Sequence, residues 1–159
     1  MGLVIGVIGE SAFTDAEHDA LAEEVGRRVA AAGAALICGG LGGVMEAACR
    51  GARGAGGRTI GILPGLERAG ANPFVDVAVA TGLGQARNVL IVLSCDALIA
   101  IGGGFGTLSE IALALRHGKP VVGLKTWQAT RGESAAPVVP VASAEEAVRE
   151  AVRLAREGR

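Results

Sequence analysis

Apolar and polar positions alternate along this chain in blocks that predict strand and helix in turn. Residues 3–8 form an unbroken apolar run, the pattern of a strand buried on both faces. Thr14-Asp15-Ala16-Glu17 reads as a capping box that opens a helix, and Gly33 stops it. Ala35–Cys38 is the next strand, followed by a helix over 44–55. Thr59–Leu63 is a third strand, ended by Pro64; 67–73 reads as loop and 75–80 as a short extended segment. The stretch 85–95 predicts a helix with the body Val89-Leu90-Ile91-Val92-Leu93, apolar on nearly all sides, which belongs in the core or in a subunit interface. Ala97–Ile101 is a strand, 107–117 a helix, and Val121–Leu124 a strand after Pro120. A polar loop over 126–136 carries the only Trp, and Val138–Val141 is a last strand. Ser143-Ala144-Glu145-Glu146 then caps a terminal helix with Ala147, Val148, Ala151, Val152 and Ala155 turned inward.

Strands alternating with helices imply an α/β fold: one doubly wound, Rossmann-like domain over 1–159, mainly parallel in its sheet, with helices on both faces. The expected order places 3–8 centrally, Ala35–Cys38 on one side and Ala97–Ile101 on the other. Ligands in such sheets sit beyond the carboxyl ends of strands where the order reverses. That geometry gathers Gly9-Glu10-Ser11 and the segments after the second and fifth predicted strands around one crevice.

Composition narrows the function classes. The 159 residues are 50% hydrophobic and 19% charged, which is a folded protein with a core of Ala, Val, Leu and Ile. Aromatics are only 3% and the net charge is −1, so neither a base-stacking platform nor a basic duplex-binding face is expected, and no nucleic-acid partner. No apolar run is long enough for a membrane span, and the N-terminus lacks the basic start of a signal peptide. Cys38, Cys49 and Cys95 have no metal-like spacing; they read as small buried hydrophobes in a reducing cytoplasm, with no metal site expected. His18 and His117 have no acidic or cysteine partner evident in the sequence and read as surface groups, as do Arg50, Arg53 and Arg58.

The chemistry-bearing signal is a pair of glycine turns, Gly39-Gly40-Leu41-Gly42-Gly43 and Gly102-Gly103-Gly104-Phe105-Gly106-Thr107. Each joins a strand to a helix. Glycines let backbone approach a ligand closely, and the free N–H groups of a helix start face negative charge. Two such turns point to a bound phosphate. The dinucleotide fingerprint G-x-G-x-x-G is absent from both, and Gly118-Lys119 is followed by Pro120 instead of the Ser or Thr of a Walker A loop.

The run Gly102-Gly103-Gly104-Phe105-Gly106-Thr107-Leu108-Ser109-Glu110 resembles the P-G-G-x-G-T-x-x-E signature of the family once labelled lysine decarboxylases, now known through the lonely-guy cytokinin-activating phosphoribohydrolases. Gly39 to Met45 resembles its upstream G-G-G-x-x-G-L-M stretch, and Gly84-Gln85-Ala86-Arg87-Asn88 stands in the place of its M-x-x-R-K. Gly102 replaces the Pro, Asn88 the Lys and Gly84 the Met. This version is nearer the branch that contains molybdenum-cofactor carrier proteins. The departures touch the hydrolase pattern and leave the phosphate turn intact.

The resemblance implies that Gly103, Gly104, Gly106 and Thr107 wrap a phosphate, with Gly39, Gly40, Gly42 and Gly43 as a second glycine wall. It implies that Arg87 and Glu110 form a catalytic or ligand-orienting pair. From the residues alone Glu110 stays open, because Thr107-Leu108-Ser109-Glu110 is also a plain capping box. Gly9, Glu10 and Ser11 are either an ordinary strand-end loop or a contact to the rest of the ligand. Two function classes follow. One is a binding or carrier protein for a nucleotide or molybdenum cofactor, with no further cofactor needed. The other is a 5′-monophosphate phosphoribohydrolase. A homodimer, or a higher homo-oligomer, is expected through the apolar helix at 85–95.

Overall fold

The computed structural model describes residues 2–12 and 15–158. Its seven-stranded sheet is parallel throughout. The strands are β1 (Val4–Gly9), β2 (Ala35–Cys38), β3 (Thr59–Leu63), β4 (Val77–Ala80), β5 (Ala97–Ile101), β6 (Val121–Leu124) and, after a short loop ladder, β9 (Val138–Val141). Their order is β4-β3-β2-β1-β5-β6-β9. The chain therefore winds outward from β1 in one direction, returns through β5 and winds outward in the other. β1 pairs with both β2 and β5, as the sequence predicts.

Period-two alternation sorts the strand side chains between two cores. Ile5, Val7, Leu36, Ile99 and Ile101 face α1 (Ala16–Ala31), α2 (Val44–Gly54) and α5 (Ala144–Glu157). Ile8, Ile37, Leu98 and Ala100 face α3 (Asn88–Ser94) and α4 (Phe105–Arg116). Buried on both faces, these strands need continuous apolar runs, which is why they are legible as such. Helices α1 and α2 pack backbone to backbone: a Cβ at Gly26 would lie 1.9 Å from the Ala48 carbonyl oxygen, and one at Gly51 1.9 Å from that of Glu23. Arg50 ties the same pair by ion pairs at 2.9 Å to both Asp19 and Glu23.

Helix ends follow local chemistry. The expected cap Thr14 lies outside the described residues. Within them, Asp15 caps α1, its carboxylate accepting from the His18 N–H at 2.8 Å. At α5, Ser143 Oγ accepts from the Glu146 N–H at 3.2 Å, and the Glu146 carboxylate accepts from the Ala142 N–H at 3.0 Å.

Several boundaries differ from the sequence reading. The helix expected over 85–95 opens as a 3-10 turn, Gly84–Arg87, before α3. The extended segment at 75–80 is trimmed to β4, the sheet edge beside β3. The loop at 126–136 contains a two-residue antiparallel ladder, β7 (Thr130–Arg131) with β8 (Ser134–Ala135). Among the described residues no helix is long and apolar enough to cross a membrane.

Candidate functional site

The reversal of strand order falls between β1 and β5, and a cavity of about 450 Å³ opens beyond their carboxyl ends. The strand-end segment supplies Gly9, Glu10 and Ser11 to it. The 3-10 turn before α3 supplies Gln85, Arg87 and Asn88, and the start of α4 supplies Gly104, Gly106, Thr107 and Glu110. Leu41 and Met45 add an apolar wall. Gln85, Leu41 and Met45 lie inside the stretches that carry the family resemblance, but the sequence reading assigned them no contact with a ligand. Apart from their neighbours in space they look like ordinary loop and helix residues.

The two glycine turns are used differently. In the first, Gly43 has φ +65 and caps α2, and a Cβ there would sit 2.1 Å from the Glu10 carbonyl oxygen. That same carbonyl accepts from the Val44 N–H at 3.0 Å. A Cβ at Gly39 would lie 2.5 Å from the Arg87 guanidinium. Asn72 stitches the turn, donating from its backbone N–H to the Gly40 carbonyl at 2.8 Å and from its side chain to that of Leu41 at 2.9 Å. Gly39, Gly40, Gly42 and Gly43 thus stand behind the cavity wall, packed against protein.

In the second turn a Cβ at Gly104 or Gly106 would meet no heavy atom of the described residues within 4 Å. Gly103, with φ +104, does not line the cavity: a Cβ there would strike the Thr107 side chain at 2.4 Å, so this glycine makes room for protein. Helix α4 starts at Phe105, two residues earlier than expected, with extended Gly104 as its cap and no side-chain hydrogen bond to that cap. Its first-turn N–H groups have no intrahelical acceptor, and the positive end of the helix dipole coincides with the cavity. Thr107 lies within the first turn, so the capping-box alternative for Glu110 fails. Glu110 sits one full turn further on, buried at 7% exposure against the cavity.

Arg87 and Glu110 are brought to the same cavity, as the resemblance implies. Arg87 is 5% exposed. Its Nη1 donates to the Asn88 carboxamide oxygen and its Nη2 to the Gly39 carbonyl at 3.4 Å. Its Nε is buried with no hydrogen-bond partner among the described residues. Burial lowers the guanidinium from its usual value, and the charge of Glu110 opposes that shift. Burial also pushes the Glu110 carboxyl up to about 7, against the pull of Arg87. Glu110 makes no ion pair among the described residues; it and Arg87 act on each other as two charges lining one cavity. The site therefore holds a fixed cation beside a carboxyl poised between its two forms near neutrality.

His18 is not a free surface group: its Nδ1 lies 2.9 Å from Asp15 and its ring packs against Gly102, because the first turn of α1 runs past the second glycine turn. His117 is exposed as expected. Cys38, Cys49 and Cys95 are free and buried; burial pushes the Cys95 thiol up to about 12.

A strand-order reversal with a glycine-built helix start, a buried arginine and a buried glutamate agrees with a sequence match over nearly the whole chain. The profile of the SLOG cluster4 family matches residues 2–150. The chain belongs to the SLOG cluster4 family. The chain is 52% identical over 121 residues to a protein of Archaeoglobus fulgidus, covering 76% of this chain and 79% of that one. It is 36% identical over 124 residues to the cytokinin riboside 5′-monophosphate phosphoribohydrolase of Mycobacterium tuberculosis, covering 72% of this chain and 66% of the relative's length. Among solved structures, the molybdenum cofactor binding protein of Rippkaea orientalis superposes with a TM-score of 0.87 at 36% identity, over 97% of this chain and 98% of that one. The molybdenum cofactor carrier protein of Chlamydomonas reinhardtii gives 0.85 at 37%, over 97% and 98%. This SLOG protein stands in the lonely-guy-like superfamily, near the molybdenum-cofactor carrier branch.

Proposed function

We propose that this protein is a single-domain binding or carrier protein for a phosphorylated, nucleotide-like small molecule, either a nucleotide or molybdenum cofactor. The observation that carries this reading is the meeting, in one cavity, of the α4 N-terminus, which no side chain caps, and the buried Arg87, whose Nε has no partner among the described residues. Gly104, Gly106 and Thr107 hold the phosphate through backbone donors, a hydroxyl and the helix dipole. Arg87 neutralises a second negative edge. Glu10, Ser11 and the Leu41–Met45 wall face the organic part. The relatives named for binding or carrying molybdenum cofactor support this reading over nearly the full chain.

A second reading, a phosphoribohydrolase acting on nucleoside 5′-monophosphates, is favoured by Glu110. A carboxyl held near 7 can give or take a proton at neutral pH, and its anion can stabilise an oxocarbenium-like sugar. Asn88 in place of a lysine, and Gly102 in place of a proline, weigh against it. Incubation with AMP and chromatography for adenine separates the two. The carrier reading expects AMP recovered intact, and mass spectrometry of the purified protein should find a phosphorylated small molecule. Release of adenine by the native chain, lost in Glu110→Gln, would establish the hydrolase instead.

We infer a homodimer through α3. Leu93 is 50% exposed on that helix, beside half-buried Leu90. Leu93→Asp should convert the dimer to monomer in light scattering; a native chain that is monomeric at micromolar concentration refutes this part.

A further inference from the structure

The second glycine turn is held from behind by the loop that follows β6. Thr126 Oγ1 donates to the Gly102 carbonyl. Trp127 Nε1 donates to the Gly103 carbonyl at 2.8 Å and to the Gly104 carbonyl at 3.1 Å. The Trp127 ring lies beside Phe105, with centroids 5.7 Å apart. Three consecutive carbonyls are thus pinned to one side by two adjacent side chains.

That pinning has a consequence for the donors. Among the described residues no peptide bond is cis. In a planar trans peptide unit the C=O and N–H point in opposite directions. With the carbonyls of Gly102, Gly103 and Gly104 turned toward Thr126 and Trp127, the N–H groups of Gly103, Gly104 and Phe105 turn away from them. Successive N–H groups aimed one way make an anion-binding concavity. The positive φ of Gly102 (+53) and Gly103 (+104) is the backbone conformation that allows this alignment. Glycine turns of this freedom sample many conformations, so a donor array costs ordering entropy unless something fixes it beforehand. Neither Thr126 nor Trp127 lines the cavity. They act on the ligand only through the turn.

We propose that Thr126 and Trp127 are positioning residues, a strap that pre-orients the N–H groups of Gly103, Gly104 and Phe105 for a phosphate group. This rests on the reading of the cavity as a phosphate site. Trp127, the only tryptophan, also becomes a direct reporter of that site.

The test is calorimetric titration of the full chain with inorganic phosphate and with AMP, in the native protein and in Thr126→Val, Thr126→Ser and Trp127→Phe. Trp127→Phe keeps a ring beside Phe105 and removes the N–H donor. Thr126→Val keeps the shape and removes the hydroxyl, while Thr126→Ser restores it. Trp127→Phe and Thr126→Val should each weaken phosphate binding by about tenfold, the scale of a lost hydrogen bond plus lost preorganisation. Thr126→Ser should bind as the native chain does, and melting temperatures should stay close together. Native-like affinity in both Trp127→Phe and Thr126→Val overturns the strap while leaving the phosphate site standing. No binding of either anion by the native chain removes the site and the strap together. If the variants fail to fold, the native protein still decides: saturating phosphate should shift the Trp127 emission, and calorimetric saturation with unchanged emission overturns the proposal.

Discussion

The two glycine turns look alike on paper and do opposite jobs in space. Both join a parallel strand to a helix. In the turn after β2, missing side chains make room for protein, and Gly43 and Gly39 are pressed against Glu10 and Arg87. In the turn after β5, Gly104 and Gly106 leave open space at the cavity. The difference lies in what fills the space: protein atoms in the first case, an open cavity in the second. Glycine in a strand-to-helix turn therefore marks a close approach without saying of what. Only the third dimension separates a packing device from a binding one.

Substitutions at matched positions can break this comparison. The largest effect is expected at Gly43. A methyl group there meets the Glu10 oxygen at 2.1 Å on a backbone with φ +65. Gly43→Ala should cost about 3–5 kcal/mol in urea unfolding or leave the chain insoluble. A midpoint within experimental error of native would show that the first turn is not packed as described.

Gly104→Val should do the reverse. Its Cβ has free space and its φ is −89, so stability should fall by no more than about 1 kcal/mol, the cost of a poorer cap. The isopropyl group fills the cradle, and AMP affinity should fall by about a hundredfold or more, equivalent to about 3 kcal/mol. Unchanged affinity on calorimetry would take the second turn out of the binding site.

Arg87→Ala touches both regions, since Arg87 spans from the Gly39 carbonyl to the cavity. It should lower AMP affinity by about ten- to a hundredfold, because a charge-assisted contact is removed. Loss of folding with no separable loss of binding would make Arg87 a strut of the first turn only.

The smallest effect concerns protonation of Glu110. Its folded-state value of about 7 lies above the ordinary 4.5, so the native state holds this proton more tightly than the unfolded chain. Its contribution to stability is therefore present at low pH and is lost as pH rises toward and through about 7. Glu110→Gln should flatten that part of the melting-temperature profile and gain stability relative to native near pH 8. Sulfate, whose charge is constant over this range, should bind native protein less well above about pH 7 and bind Glu110→Gln with little pH dependence. Parallel profiles for the two proteins would show that Glu110 is not a buried titrating group.

Much of this fold is written in the sequence. Strands buried on both faces must be continuous apolar runs, and β1, β2 and β5 appear as such. Caps are local chemistry, so Ser143 announces α5. The start of α4 was less legible. Thr107-Leu108-Ser109-Glu110 satisfies the capping pattern, yet the chain caps three residues earlier with Gly104, whose lack of a side chain leaves the donors free. Partners distant in sequence were invisible. Nothing local ties Trp127 to Gly103, or Asn72 to Gly40, because the sheet brings them together only once β6 and β3 are in place. Gln85, Leu41 and Met45 stand inside the quoted motifs, yet only the folded chain shows that their side chains face the cavity.

The central claim is that the second glycine turn holds a phosphate. A crystal structure of the native protein with AMP tests it most directly. The account predicts the phosphate at the start of α4, within hydrogen-bonding distance of the N–H groups around Gly104 and of Thr107, with Arg87 facing the same ligand. A well-ordered AMP phosphate lodged elsewhere, with the α4 N-terminus bare, would contradict it.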